Sequence, residues 1–124
     1  GTGPYAYLLE LPSEEAVRSL RPDFRALARY KKDVAVTAAS RRKRCDFVSR
    51  YFAPAQGVDE DPVTGSAHCM LGPFWGDRLG KSSLRAWQAS ARGGEVRVRL
   101  AGRRVLLRGR AISARPLFST FFND

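Results

Sequence analysis

The chain has 124 residues, enough for one domain with an ordinary core and too few for two. Its 22 basic and 12 acidic residues give a net charge of +10, which favours anionic partners without choosing between carboxylated metabolites and nucleic acid. No apolar run approaches the roughly 20 residues of a membrane span, and one histidine with two well-separated cysteines argues against a tetrahedral zinc site.

The opening GTGPYAYLLEL has neither a basic leader nor a long apolar stretch, so a cytoplasmic location is expected, with Cys45 and Cys69 as reduced thiols. There is no initiator Met ahead of strand-like sequence, and the expectation is a chain cut from a longer one. Tyr5 to Leu11 reads as a strand ended by Pro12. Ser13 can cap a helix whose first turn carries Glu14 and Glu15. Val17, Leu20, Phe24, Leu27 and Ala28 recur at helical steps, but Pro22 interrupts them and Asp23 can cap again, which predicts two short helices. Val34 to Ala38 (VAVTA) reads as a short buried strand, and Arg41 to Arg44 (RRKR) as a solvated loop tip. Cys45 to Pro54 is aromatic and β-branched, hence a strand.

The segment DEDPVTGSAHCMLGPFWG follows, from Asp59 to Gly76. Pro62 disfavours helical geometry at Asp61, and Thr64 is a good N-cap, so a helix is expected from Gly65 and Ser66. Ala67, Met70, Leu71, Phe74 and Trp75 form a broad apolar stripe that predicts a mostly buried helix, with a kink at Gly72-Pro73. The first amides of such a helix lack internal partners and sit at its positive end. Gly65 allows close approach and Ser66 adds a hydroxyl, which together suit a carboxylate or phosphate. A helix capped by Thr64 and Asp61 with no ligand is the competing reading. His68 lies just inside the helix and can line the same mouth or be structural.

Leu84 to Ser90 reads as a further strand. In EVRVRL, Val96, Val98 and Leu100 alternate with Arg97 and Arg99, and RRVLLRGRAI continues the style from Arg103 to Ile112. Gly93-Gly94 and Ala101-Gly102 supply turns, so the C-terminal half is an expected antiparallel meander with an arginine-rich solvent face. Those arginines lack interleaved aromatics, as a solvated face does, so no nucleic-acid partner is expected. Phe118, Phe121 and Phe122 can pack as one patch in the tail.

EDPVTGSAH and RGGEVRV, with their spacing, resemble the C-terminal lobe of the PhzF-like phenazine-biosynthesis family, including the vertebrate phenazine biosynthesis-like domain proteins. The resemblance is strong from Asp46 to Ile112 and weaker from Tyr5 to Ala39. It implies an α+β fold, one lobe of a diaminopimelate epimerase-like pair: a mixed, mostly antiparallel sheet curled around a central helix. It implies a lobe over 1–112 and an extension over 113–124 that has no counterpart. It also implies a cofactor-independent isomerase moving a proton on a small carboxylated metabolite, a dihydro-hydroxyanthranilate in the phenazine pathway. By that resemblance Gly65 and Ser66 bind the carboxylate and Asp61 is the acid this lobe contributes; Thr64 and His68, read from the helix start itself, join them as candidate substrate-binding residues. The family's principal glutamate belongs to an N-terminal lobe with no counterpart here, so this chain is expected to be half an active site. Its expected partner is that lobe or a second copy. The alternative is a non-catalytic, self-associating interaction module.

Overall fold

The structure, a computed structural model, describes residues 6–109. In chain order it runs β1 (Ala6–Glu10), α1 (Glu14–Ser19), α2 (Phe24–Arg29), β2 (Asp33–Ala39), β3 (Phe47–Ala53), a 3-10 turn (Pro54–Gln56), β4 (Val58–Asp61), α3 (Gly65–Leu79), β5 (Ser83–Gln88), β6 (Gly94–Ala101) and β7 (Arg104–Arg108). The strands form one sheet in the order β1-β2-β3-β5-β6-β7, with β4 attached to β3. β1–β2 and β3–β5 are parallel and the other pairs antiparallel, so the sheet is mixed and mostly antiparallel, as expected.

Both short N-terminal helices start where their caps were read. The Ser13 hydroxyl accepts from the Ala16 amide at 3.0 Å, and the Asp23 carboxylate from the Ala26 amide at 3.1 Å. The two helices cover one face of the sheet, where Val17, Leu20 and Phe24 meet Val34, Val48 and Phe52. The other face wraps α3. The core around Ala67, Leu71 and Trp75 draws Ala6 from β1, Ala35 from β2, Phe47 from β3, Ala86 from β5, Val98 from β6 and Leu107 from β7. Each fully buried Val, Leu or Phe of these layers contributes about 1.5–3 kcal/mol relative to exposure.

The meander β5–β6–β7 has the alternation and the turns read from the sequence, with Gly93 and Gly102 at φ of 75° and 61°. Helix α3 remains helical through Pro73. Its glycines serve close packing: a Cβ on Gly72 would come within 2.7 Å of Val98 Cγ1, and one on Gly76 would collide with Leu100 Cδ1. Strand β4 was not anticipated. VDED has little β-propensity, but Gly57, at φ 87°, turns the chain back so that β4 pairs with the end of β3. Cys45 and Cys69 are free and half-buried, and burial pushes both thiols up from their ordinary range. The expected strand start at Tyr5, the run from Arg110 to Ile112 and the phenylalanine tail lie outside the described residues.

Candidate active site

Strand β3 is shared by two neighbours on one side. Phe47–Ser49 pair with β5, while Tyr51–Ala53 pair with β4. The two neighbours part at Arg50, and α3 starts in the fork. The three acids ahead of α3 therefore have different surroundings. Asp59 is exposed. Glu60 takes a two-pronged hydrogen bond from the Arg50 guanidinium, at 2.9 and 2.8 Å, and Arg50 also donates to the carbonyls of Val17 and Leu20. That arrangement ties β4 to the end of α1 and fixes its register. Asp61, the next residue, turns to the opposite face and is 5% exposed.

Asp61 is held by a buried lattice that crosses the fork. The Thr64 hydroxyl donates to Asp61 Oδ2 at 2.6 Å. Gln88, at the end of β5 and fully buried, completes the lattice. Its Oε1 accepts from the Thr64 amide at 2.7 Å, and its Nε2 donates to the Asp61 carbonyl at 2.8 Å and to Thr64 Oγ1 at 3.0 Å. Ser90 donates to the Pro62 carbonyl at 2.9 Å and accepts from the Gly93 amide, so the β5–β6 turn grips the same loop. A Cβ on Gly94 would strike Val63, which sits against that turn. Gln88 and Ser90 were not singled out from sequence, because their partners between Asp61 and Thr64 lie 24 to 28 residues away. The RGGEV motif beside them was the only local signal.

The first turn of α3 carries the other expected residues. Thr64 is the N-cap residue but makes no side-chain capping bond, because its hydroxyl is turned to Asp61. Of the two residues in the competing reading, Thr64 does not cap the helix through its own side chain. Gly65 and Ser66 follow, both buried, and Ser66 Oγ has no hydrogen-bond partner among the described residues although the residue is only 4% exposed. The helix dipole adds a positive end at this point.

His68 lies deeper. It is fully buried, 5.9 Å from the Phe47 ring by centroids, and its Nδ1 stands 2.7 Å from the Thr64 carbonyl. A carbonyl can only accept, so Nδ1 carries the proton. Burial lowers the pKa from its ordinary 6.5 to about 4, against a smaller upward effect of the Thr64 bond, so the ring is neutral at pH 7. A second buried carboxylate borders the site. Tyr51, opposite Asp61 in the β3–β4 register, donates its hydroxyl to Asp33 Oδ2, and Gln56 donates to Asp33 Oδ1 at 2.6 Å. Among the described residues no group of three or more His, Cys, Asp or Glu side chains is placed to hold a metal ion, and no helix is long and apolar enough to cross a membrane.

The family model for phenazine biosynthesis-like proteins matches residues 1–115. The chain belongs to that family. Its match reaches slightly past Ile112, where the motif resemblance ended. An uncharacterized isomerase of Pseudomonas aeruginosa is 62% identical over 106 residues, covering 85% of this chain and 40% of that protein. The mouse phenazine biosynthesis-like domain-containing protein 2 is 60% identical over 55 residues, covering 44% of this chain and 19% of that protein. The crystal structure of a PhzF-family protein from Enterococcus faecalis superposes with a TM-score of 0.74 at 43% identity, over 79% of this chain and 38% of that one. The chain thus spans about 40% of the length of the P. aeruginosa relative.

Proposed function

We propose that the chain is the substrate-binding lobe of a PhzF-like, cofactor-independent isomerase that relocates a proton on a small carboxylated metabolite. The observation that carries this reading is the start of α3: Ser66 Oγ unpartnered in a buried setting, behind an N-cap residue, Thr64, whose own side chain makes no capping bond, with Asp61 held beside it. In this reading the backbone of Gly65 and Ser66, with the Ser66 hydroxyl, receives the substrate carboxylate. Asp61 accepts or returns the migrating proton, and Thr64 and Gln88 fix where its carboxylate stands. His68, neutral and enclosed, buttresses the first turn through Thr64. Names of relatives that include "isomerase" support the reaction class.

Proton relocation also needs a positioned partner acid or base on the far side of the substrate, worth roughly 10²–10⁴ in rate. The wall that supplies it is the other lobe of the longer protein or a second copy of this chain. Two measurements test the reading. Titrating the labelled chain with a small aromatic carboxylate such as anthranilate is expected to move the amide resonances of Gly65 and Ser66 first, and unmoved resonances at saturation refute the cradle. In the full-length protein, Asp61→Asn is expected to lower deuterium exchange from solvent into the substrate by about 10²–10⁴ while the fold stays intact. A strictly monomeric chain in sedimentation removes the second copy as the source of the far wall.

A further inference from the structure

A cleft of about 860 Å³ lies at the other end of β5 from Gln88. Its floor is the outward face of β5–β7, and its wall is the β2–β3 loop with Lys81. Seven basic side chains line it against one carboxylate, Asp46. Strand register concentrates that charge. Arg85 stands directly across from Arg97, and Arg97 directly across from Arg108, so three arginines form a row over three adjacent strands. Arg99 is two residues further along β6, and Arg44, in a left-handed conformation at φ 65°, sits at the rim.

The acids in reach do not balance this row. Asp46 is engaged by Lys81 at 2.7 Å and by the Arg85 backbone amide at 2.8 Å. Glu14 takes Arg42, and Glu95 reaches Arg97 only at 3.4 Å between two exposed side chains. No carboxylate of the described residues pairs with the guanidinium of Arg44, Arg85, Arg99 or Arg108. Like charges directly opposite on neighbouring strands destabilise a sheet, so the row raises the energy of the free protein. An anion bridging the row removes that repulsion.

We propose that this cleft binds a small anion bearing several linked phosphates, bridged by Arg85, Arg97 and Arg108. Guanidinium forks match phosphate oxygens in pairs, and a row of three on parallel spacings suits consecutive phosphates better than one isolated anion. The volume is that of a small-molecule site. No aromatic side chain lines the cleft, so there is no platform on which nucleic-acid bases would stack. The site is independent of the α3 tip: Gln88 points to α3, whereas Arg85 faces outward.

The test is calorimetric titration of the 124-residue chain with tripolyphosphate, alongside sulfate at matched ionic strength and a mixed-sequence single-stranded DNA. Saturable one-to-one binding of tripolyphosphate, with a raised melting temperature and an affinity that falls with added salt, is expected. The triple variant Arg85→Gln, Arg97→Gln, Arg108→Gln is expected to bind at least about ten-fold more weakly while melting no lower than the parent. Arg25→Gln with Arg29→Gln, on α2, is expected to leave binding unchanged. Equal response to sulfate, undiminished binding by the triple variant, or tighter binding of the DNA than of tripolyphosphate would each overturn the proposal.

Discussion

On the face of β5 that meets α3, Gln88 is fully buried and its oxygen and nitrogen both have partners; on the opposite face Arg85 stands across from Arg97 without a pairing carboxylate. The inward face tolerates a polar side chain only because every hydrogen-bonding atom of its amide is answered, since an unanswered one costs about 1–3 kcal/mol. The outward face tolerates three aligned cations because water screens them. One strand thus carries a position that is exacting and a position that is free to be used for something else.

The contrast breaks most visibly at Gln88. Gln88→Ala strands the Thr64 amide and the Asp61 carbonyl in the interior, and a loss of about 3–4 kcal/mol in urea unfolding is expected. An unchanged unfolding midpoint would mean that the lattice around Asp61 does not bear on stability.

His68 sharpens the comparison through pH. Its folded-state pKa, about 4, lies below its ordinary 6.5, so between these values the unfolded chain binds a proton that the folded chain refuses. The stabilisation is fully present above pH 6.5 and is lost as pH falls towards 4, by about 3 kcal/mol in total. His68→Gln should flatten that limb of the stability profile, and an identical slope in both proteins would place the titration elsewhere.

The smallest effect belongs to the outward face. Arg85→Thr is expected to change stability by no more than about 0.5 kcal/mol, in the favourable direction, because it removes a like-charge neighbour and keeps β-propensity. A loss comparable to that at Gln88 would erase the distinction between the two faces.

Features governed by neighbours in the chain were legible in advance. Ser13 and Asp23 cap through amides three residues on, and Val96, Val98 and Leu100 share a face by simple alternation. Asp61, Thr64, Gly65, Ser66 and His68 belong to one short motif, so they were picked out together as candidates. What stayed hidden depends on distant segments meeting. Strand β4 exists because Arg50 ties Glu60 to α1, and Asp33 finds Tyr51 18 residues away. Gln88 looked like an ordinary strand residue because nothing near it in the chain reveals that β5 returns beside the start of α3. Gly72 shows the same limit: the side chain that a Cβ there would meet first belongs to Val98, in the distant strand β6.

The bare stretch of α3 at Gly72 and Gly76 has one more effect. With no side chains of its own at these two positions, the helix lets Val98 and Leu100 of β6 seat directly against its backbone, leaving little room for either to slide or pivot against the other. Ser90 and Gln88 brace the opposite end of the same helix from β5. Under the proposed function, a guest at residues 65 and 66 would meet a receptor already braced, and the ordering cost of its capture would fall mainly on the guest.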